Sequence, residues 1–179
     1  MYLLYVILLF LPAGLANMIP PFSHLFFPDL NYPLDFNLLF RGKRVFGDHK
    51  TIRGFISGIL IGGIFFLFQK YLYTSTDFYK HLSLINYEQV SPFFGFWLGF
   101  GALGGDAIKS FFKRQMSITP GSTWFPWDQI DWVIGSLIIS AFFIKVDLVL
   151  ILTFLVAGLV LHLLVNGIGF IIKMNKSYI

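Results

Sequence analysis

Residues 92–114 read PFFGFWLGFGALGGDAIKSFFKR, and this stretch decides the class of fold. From Pro92 to Gly105 it holds no ionisable side chain. About 20 mostly apolar residues are what a helix needs to cross a bilayer's hydrocarbon. The last two turns then change character. Asp106, Lys109, Ser110, Lys113 and Arg114 recur at spacings of three and four, which places them on one helix face, with Phe111 and Phe112 to the side. Lysine and arginine near a helix end reach the interface by snorkelling, which accounts for Lys113 and Arg114. Asp106 is too short for that and lies deeper. An ionisable group in hydrocarbon costs several kcal/mol unless it faces a partner or a wet cavity. Asp106 is therefore read as a paired or functional carboxylate.

The rest of the chain has the same composition. Of 179 residues, 56% are apolar, 23 are Phe, 17 are Gly and only 12% are charged. Soluble domains carry about 25% charged residues, and a globule of this size buries only about two-thirds of the surface its unfolded chain exposes. A soluble enzyme, a disordered chain and a nucleic-acid-binding module are excluded on these grounds. The chain has no cysteine, so it has neither disulfides nor thiolate metal sites.

The expected fold is an all-α integral membrane protein, a single polytopic domain over residues 1–179. Five transmembrane helices are expected, at about 1–19, 55–72, 92–112, 132–144 and 148–172. The first is read as a retained span, because a cleaved signal peptide would carry a basic n-region and no basic residue precedes Arg41. Ten of the 13 Lys and Arg residues fall on one side of this topology: Arg41, Lys43, Arg44, Lys50, Arg53, Lys109, Lys113, Arg114, Lys173 and Lys176. Only Lys70, Lys80 and Lys145 fall on the other. The positive-inside rule then puts the N-terminus outside and the C-terminus in the cytoplasm. The net charge of +4 is read as this orientation signal and not as a nucleic-acid footprint. Small residues four apart let helices approach closely in lipid. Gly54, Gly58 and Gly62 in the second helix, and Gly95, Gly99, Gly101 and Gly105 in the third, predict close packing.

The chemistry gathers at the cytoplasmic end. After the third helix a loop leads to Trp124-Phe125-Pro126-Trp127-Asp128-Gln129-Ile130-Asp131. Asp128 and Asp131, three apart at a helix start, point the same way. With Asp106 they give three carboxylates near one membrane surface. Magnesium is usually held by one or two carboxylates together with substrate phosphates, and Lys109, Lys113 and Arg114 stand close enough to take phosphate oxygens. A purely structural alternative is a buried salt bridge. The first cytoplasmic loop, Phe46-Gly47-Asp48-His49-Lys50-Thr51-Ile52-Arg53-Gly54, crowds Lys50, Thr51 and Arg53 at a helix N-terminus. Free backbone N–H groups there bind anions, although the glycine spacing is not that of a P-loop. His162, Asn166 and Asn17 are read as interhelical hydrogen-bonding groups.

At these motifs the sequence resembles the CDP-archaeol synthase family, a branch of the membrane CTP-dependent cytidylyltransferases related to CDP-diacylglycerol synthases. Four segments carry the likeness: Leu15-Ala16-Asn17-Met18-Ile19-Pro20; Phe46 to Gly54; Gly104 to Arg114 running on to Asp128-Gln129-Ile130-Asp131; and Leu161-His162-Leu163-Leu164-Val165-Asn166. The third is the most specific, being similar to a signature in which S-x-x-K-R leads through a loop to D-x-x-D. The His-Gly-Gly of the diacylglycerol branch is absent and the loop is shorter, as in the archaeol branch.

The resemblance implies a multi-pass cell-membrane enzyme with its active site on the cytoplasmic side. It would transfer CMP from CTP to an isoprenoid-ether glycerol phosphate lipid, an unsaturated diether of the bis-geranylgeranyl type, releasing pyrophosphate with Mg2+ as cofactor. Asp106, Asp128 and Asp131 would be metal ligands, with Lys113 catalytic beside them. Asp48, Lys50, Thr51, Arg53, Lys109, Ser110 and Arg114 would bind nucleotide or phosphate. Two other readings compete: a CDP-diacylglycerol synthase acting on phosphatidate, and a small transporter or assembly factor whose buried charges form an ion path. Transporters often carry inverted repeats, and none is visible here.

Overall fold

The structure is a computed structural model that describes residues 1–119 and 121–171, apart from the side chains of Asn166 and of residues 168–171. The expected role of Asn166 and the tail lysines Lys173 and Lys176 therefore lie outside the described residues. The order is α1 (Tyr2–Met18), a 3-10 turn (Pro20–Leu25), a two-stranded ribbon β1 (Leu39–Phe40) and β2 (Lys43–Arg44), then α2 (Ile52–Ser75), α3 (Asp77–His81), α4 (Phe94–Gln115), α5 (Trp127–Ser140) and α6 (Leu148–Ile171).

Each of the five expected segments is helical, and α3 is a short addition. Among the described residues, two helices are both long and apolar enough to cross a membrane: α2, with mean hydropathy 1.7, and Leu148–Val165 of α6, with 2.9. Helix α1 is a shorter apolar helix. Helix α5 differs most from expectation. It starts at Trp127 and ends at Ser140, not at 132 and 144. Its 14 residues rise about 21 Å, less than the roughly 30 Å of hydrocarbon. The early start has a consequence for the chemistry, because Asp128 and Asp131 both ride on the first turn and a half of a rigid helix.

The core is rich in aromatic side chains and reaches the charged cluster at Trp132, next to Asp131. Phe10 of α1 stacks on Phe154 of α6 with centroids 3.7 Å apart, and the Trp132 edge meets Phe154 at 5.4 Å. Phe66 of α2 contacts Tyr87 at 5.4 Å and Phe94 of α4 at 5.3 Å. Lys70 donates to the carbonyls of Tyr87 and Val90 at 2.8 Å each, tying the connection between α3 and α4 to the side of α2.

Close glycine packing is present as expected. Added to Gly101 on α4, a Cβ would lie 2.6 Å from the Gly135 carbonyl oxygen of α5. At Gly105 it would meet the Asp131 carbonyl closer than any real side chain approaches. Helices α4 and α5 therefore cross backbone to backbone, and that crossing sets how far Asp106 stands from Asp131.

Candidate active site

The three carboxylates converge. Lys109, rising from α4, brings its ammonium to 3.0 Å from Asp106 Oδ1, 3.0 Å from Asp128 Oδ1 and 2.7 Å from Asp131 Oδ2. Lys113, one turn on, lies 3.0 Å from both Asp128 oxygens and donates to the Ser122 carbonyl at 2.6 Å. Lys50, just ahead of α2, is ion-paired with the remaining oxygen of Asp106. Asp128 also accepts from the Trp124 backbone N–H at 2.5 Å, which fixes the carboxylate against its own helix start. All of these carboxylate and lysine side chains except Lys50 are less than a fifth exposed.

Beside this cluster opens a cavity of about 290 Å³. Its wall includes Lys109, Ser110, Lys113 and Arg114 from α4, and Arg44, Asp48, His49 and Lys50 from the loop. Sequence reasoning named most of these residues. It placed Ser110 among the phosphate binders, and here the Ser110 hydroxyl donates to the Asp106 carbonyl oxygen of its own helix at 2.8 Å.

The structure does not bring Thr51 and Arg53 to the cavity wall. Thr51 caps α2, its hydroxyl accepting from Gly54 N–H at 3.3 Å. Arg53 donates to the Pro28 carbonyl at 3.2 Å. The expected anion cradle of free N–H groups at the start of α2 is also corrected. Ile52 N–H donates to the Tyr32 carbonyl at 2.9 Å and Arg53 N–H to the Leu30 carbonyl at 3.3 Å. The preceding chain folds back across the helix start and satisfies these donors itself.

Two residues that sequence reading left out shape the loop. Asp35 is 3% exposed. It accepts from Arg44 Nη2 at 2.6 Å, Phe46 N–H at 2.9 Å, Gly47 N–H at 3.1 Å and Asn37 N–H at 3.1 Å. Arg44 reaches on to Asp48 at 2.6 Å. The ribbon turn at Arg41-Gly42, with φ of 51° and 75°, folds β2 back so that Arg44 meets Asp35. Burial pushes the Asp35 carboxyl up, and the Arg44 guanidinium with the three backbone N–H groups outweighs it, holding the group at about 2 against an ordinary 3.8. A lowered acid stabilises the fold above the ordinary value and loses that contribution as pH falls through the held value. The brace is thus complete at neutral pH and loosens only towards pH 2. Asp35→Asn is expected to destabilise the loop by about 2 kcal/mol at neutral pH through the lost charge-assisted bonds. Amide hydrogen exchange at Phe46 and Gly47 reads this directly. Unchanged protection there would show that the loop holds without the carboxylate.

The donor set suits a hard divalent cation, since three carboxylate oxygens already surround one positive centre. That centre is the Lys109 ammonium. Among the described residues, no group of three or more His, Cys, Asp or Glu stands as a ready metal cage.

The fold and the site together define a class: an apolar helical bundle with a buried cluster of lysines and aspartates beside a basic cavity. The comparisons with known proteins agree. The chain is 30% identical over 178 residues to a CDP-archaeol synthase of Pyrobaculum islandicum, covering 99% of each chain. It is 34% identical over 148 residues to one of Methanospirillum hungatei, covering 75% of this chain and 81% of that one. A solved structure of an intramembrane enzyme for archaeal membrane lipids biosynthesis superposes with a TM-score of 0.71 at 28% identity, over 89% of this chain and 91% of that one. The profile of the CarS-like CDP-archaeol synthase family matches residues 1–178, and the chain belongs to that family of membrane cytidylyltransferases.

Proposed function

We propose that the chain transfers CMP from CTP to a phosphate monoester lipid, an unsaturated diether glycerol phosphate, at the cytoplasmic face of the cell membrane. In this reading α1, α2, α4, α5 and α6 are the five spans, with the N-terminus outside and the C-terminus inside. Helix α5 crosses together with the loop that precedes it. The observation that carries the reading is the meeting of Asp106, Asp128 and Asp131 around one point 2.7–3.0 Å from each, on the edge of a cavity walled by lysine and arginine.

In the reaction, an oxygen of the lipid phosphate forms a bond to the α-phosphorus of CTP. The bond from that phosphorus to the bridging α,β-oxygen breaks, and its electron pair leaves with pyrophosphate. The nucleophile is already an anion, so no side chain has to remove a proton from it. What the protein supplies is alignment and charge neutralisation, the main needs of such transfers. Asp106, Asp128 and Asp131 are the residues to hold Mg2+, which supplies positive charge at the phosphate oxygens when bound. Lys113 and Arg114 steady the departing phosphates, and Lys50 faces the same anions from the loop. The lipid tails lie along the exposed apolar faces of the helices, where Phe100, Ile108 and Phe112 are open to lipid.

The test is Mg2+-dependent pyrophosphate release from CTP by the purified full chain, with a diether glycerol phosphate or with phosphatidate. Release with the diether and little with phosphatidate is expected. Preference for phosphatidate would make the chain a CDP-diacylglycerol synthase in activity, and no release with either would overturn the reading.

A further inference from the structure

We infer that the lysines and aspartates of the site serve as each other's ligands, and that a divalent cation and a triphosphate bind by trading places with them, Lys109 being the group the cation displaces. The inference rests on the reading of the three carboxylates as metal holders and adds what must happen for a metal to reach them.

The charges balance in pairs. Asp106 is shared by Lys50 and Lys109, Asp128 by Lys109 and Lys113, and Asp131 is held by Lys109. Three ammonium groups face three carboxylates, so each charged group in this poorly solvated place has a partner of opposite sign. Lys109 touches all three carboxylates, so its nitrogen stands where a cation bound to all three would stand. An ammonium and a divalent ion repel at that distance, and one must leave. Lys109 has a flexible four-carbon stem, and its side chain already borders the cavity together with Lys50 and Lys113. Withdrawal from the carboxylates therefore carries positive charge into the space assigned to the phosphates. A cation that takes the aspartates frees the lysines for the triphosphate, and a triphosphate that takes the lysines frees the aspartates for the cation. Each ligand prepares the site of the other, a coupling carried by the protein beyond their association in solution. Arg114 is the contrast. It lines the same cavity, and among the described residues no carboxylate lies within ion-pair distance of it.

The experiment is a Mn2+ titration followed by electron paramagnetic resonance on the detergent-solubilised full chain without nucleotide. It compares the native protein with Lys109→Met and Arg114→Met. Both variants remove one positive charge from the same cavity, so a general electrostatic effect moves them equally. Lys109→Met is expected to bind Mn2+ about tenfold more tightly than the native chain, and Arg114→Met within about twofold of it. Lys109→Arg, which keeps the resident charge, is expected not to tighten. Thermal unfolding of each variant checks that it is folded, and Lys109→Gln replaces the methionine variant if that one is not. Equal or weaker Mn2+ binding by a folded Lys109→Met or Lys109→Gln, or equal tightening by Arg114→Met, overturns the exchange while leaving the metal site standing. No Mn2+ uptake by the native chain at millimolar metal, even with CTP present, overturns the metal site itself and the exchange with it.

Discussion

Asp128→Asn is expected to lower CTP turnover by at least about a hundredfold while the protein stays folded and inserted. The amide keeps an oxygen to accept the Trp124 N–H, so the start of α5 is retained. The charge is lost, and with it the carboxylate that both Lys109 and Lys113 face. In the proposed reaction this leaves a neutral amide where one of three anionic ligands faced a hard cation whose work is electrostatic. Steady-state pyrophosphate release, with thermal unfolding measured alongside, checks the prediction. Turnover near the native value in a folded variant would remove Asp128 from the site.

Gly105→Val is expected to have an effect of similar size for a geometric reason. A Cβ at Gly105 overlaps the Asp131 backbone carbonyl, which belongs to the helix opposite and cannot turn aside. Helices α4 and α5 must separate, at a cost of about 2 kcal/mol from overpacking, and Asp106 must then draw away from Asp131. Activity is expected to fall by about a hundredfold or more, since a displacement near 1 Å at such a site loses that much. Gly104→Val is the control. A Cβ there meets nothing within 4 Å, and that variant is expected to unfold and turn over like the native chain. Similar loss in both variants would show that a bulky side chain anywhere at this level of α4, and not the α4–α5 crossing, is responsible.

The parts of the site that could be read from the chain are those where spacing along one helix determines position. Asp106, Lys109 and Lys113 share a face because 3.6 residues make a turn, and Asp128 and Asp131 point together for the same reason. Their convergence needs one further step, the glycine-lined crossing of α4 and α5, and the runs of glycine announced that too. The reading failed where position depends on chain folding back on itself. Thr51 and Arg53 have the composition of an anion cradle, yet residues 30–32 lie across that helix start and take its N–H groups. Asp35 lies 9 residues from Arg44, and what joins them is a ribbon turn in the left-handed region at Arg41 and Gly42. Nothing periodic marks such a contact. The available signal was one buried-type carboxylate in a loop that is otherwise largely apolar, Pro33-Leu34-Asp35-Phe36. Asp128 and Asp131 read as a helix start, but the expected span begins at Trp132 because charged residues are left out when a membrane span is sought; in the structure Lys109 and Lys113 pair with both aspartates and α5 begins at Trp127.

The central claim is that the three aspartates together grip one divalent cation against the nucleotide. The direct measurement is anomalous diffraction from crystals of the full chain grown with Mn2+ and a non-hydrolysable CTP analogue. The account predicts an anomalous peak within bonding distance of Asp106, Asp128 and Asp131, with the triphosphate in the cavity beside it and the Lys109 ammonium moved off the carboxylates. A bound nucleotide whose metal lies away from these three residues, with Lys109 still seated among them, would contradict it.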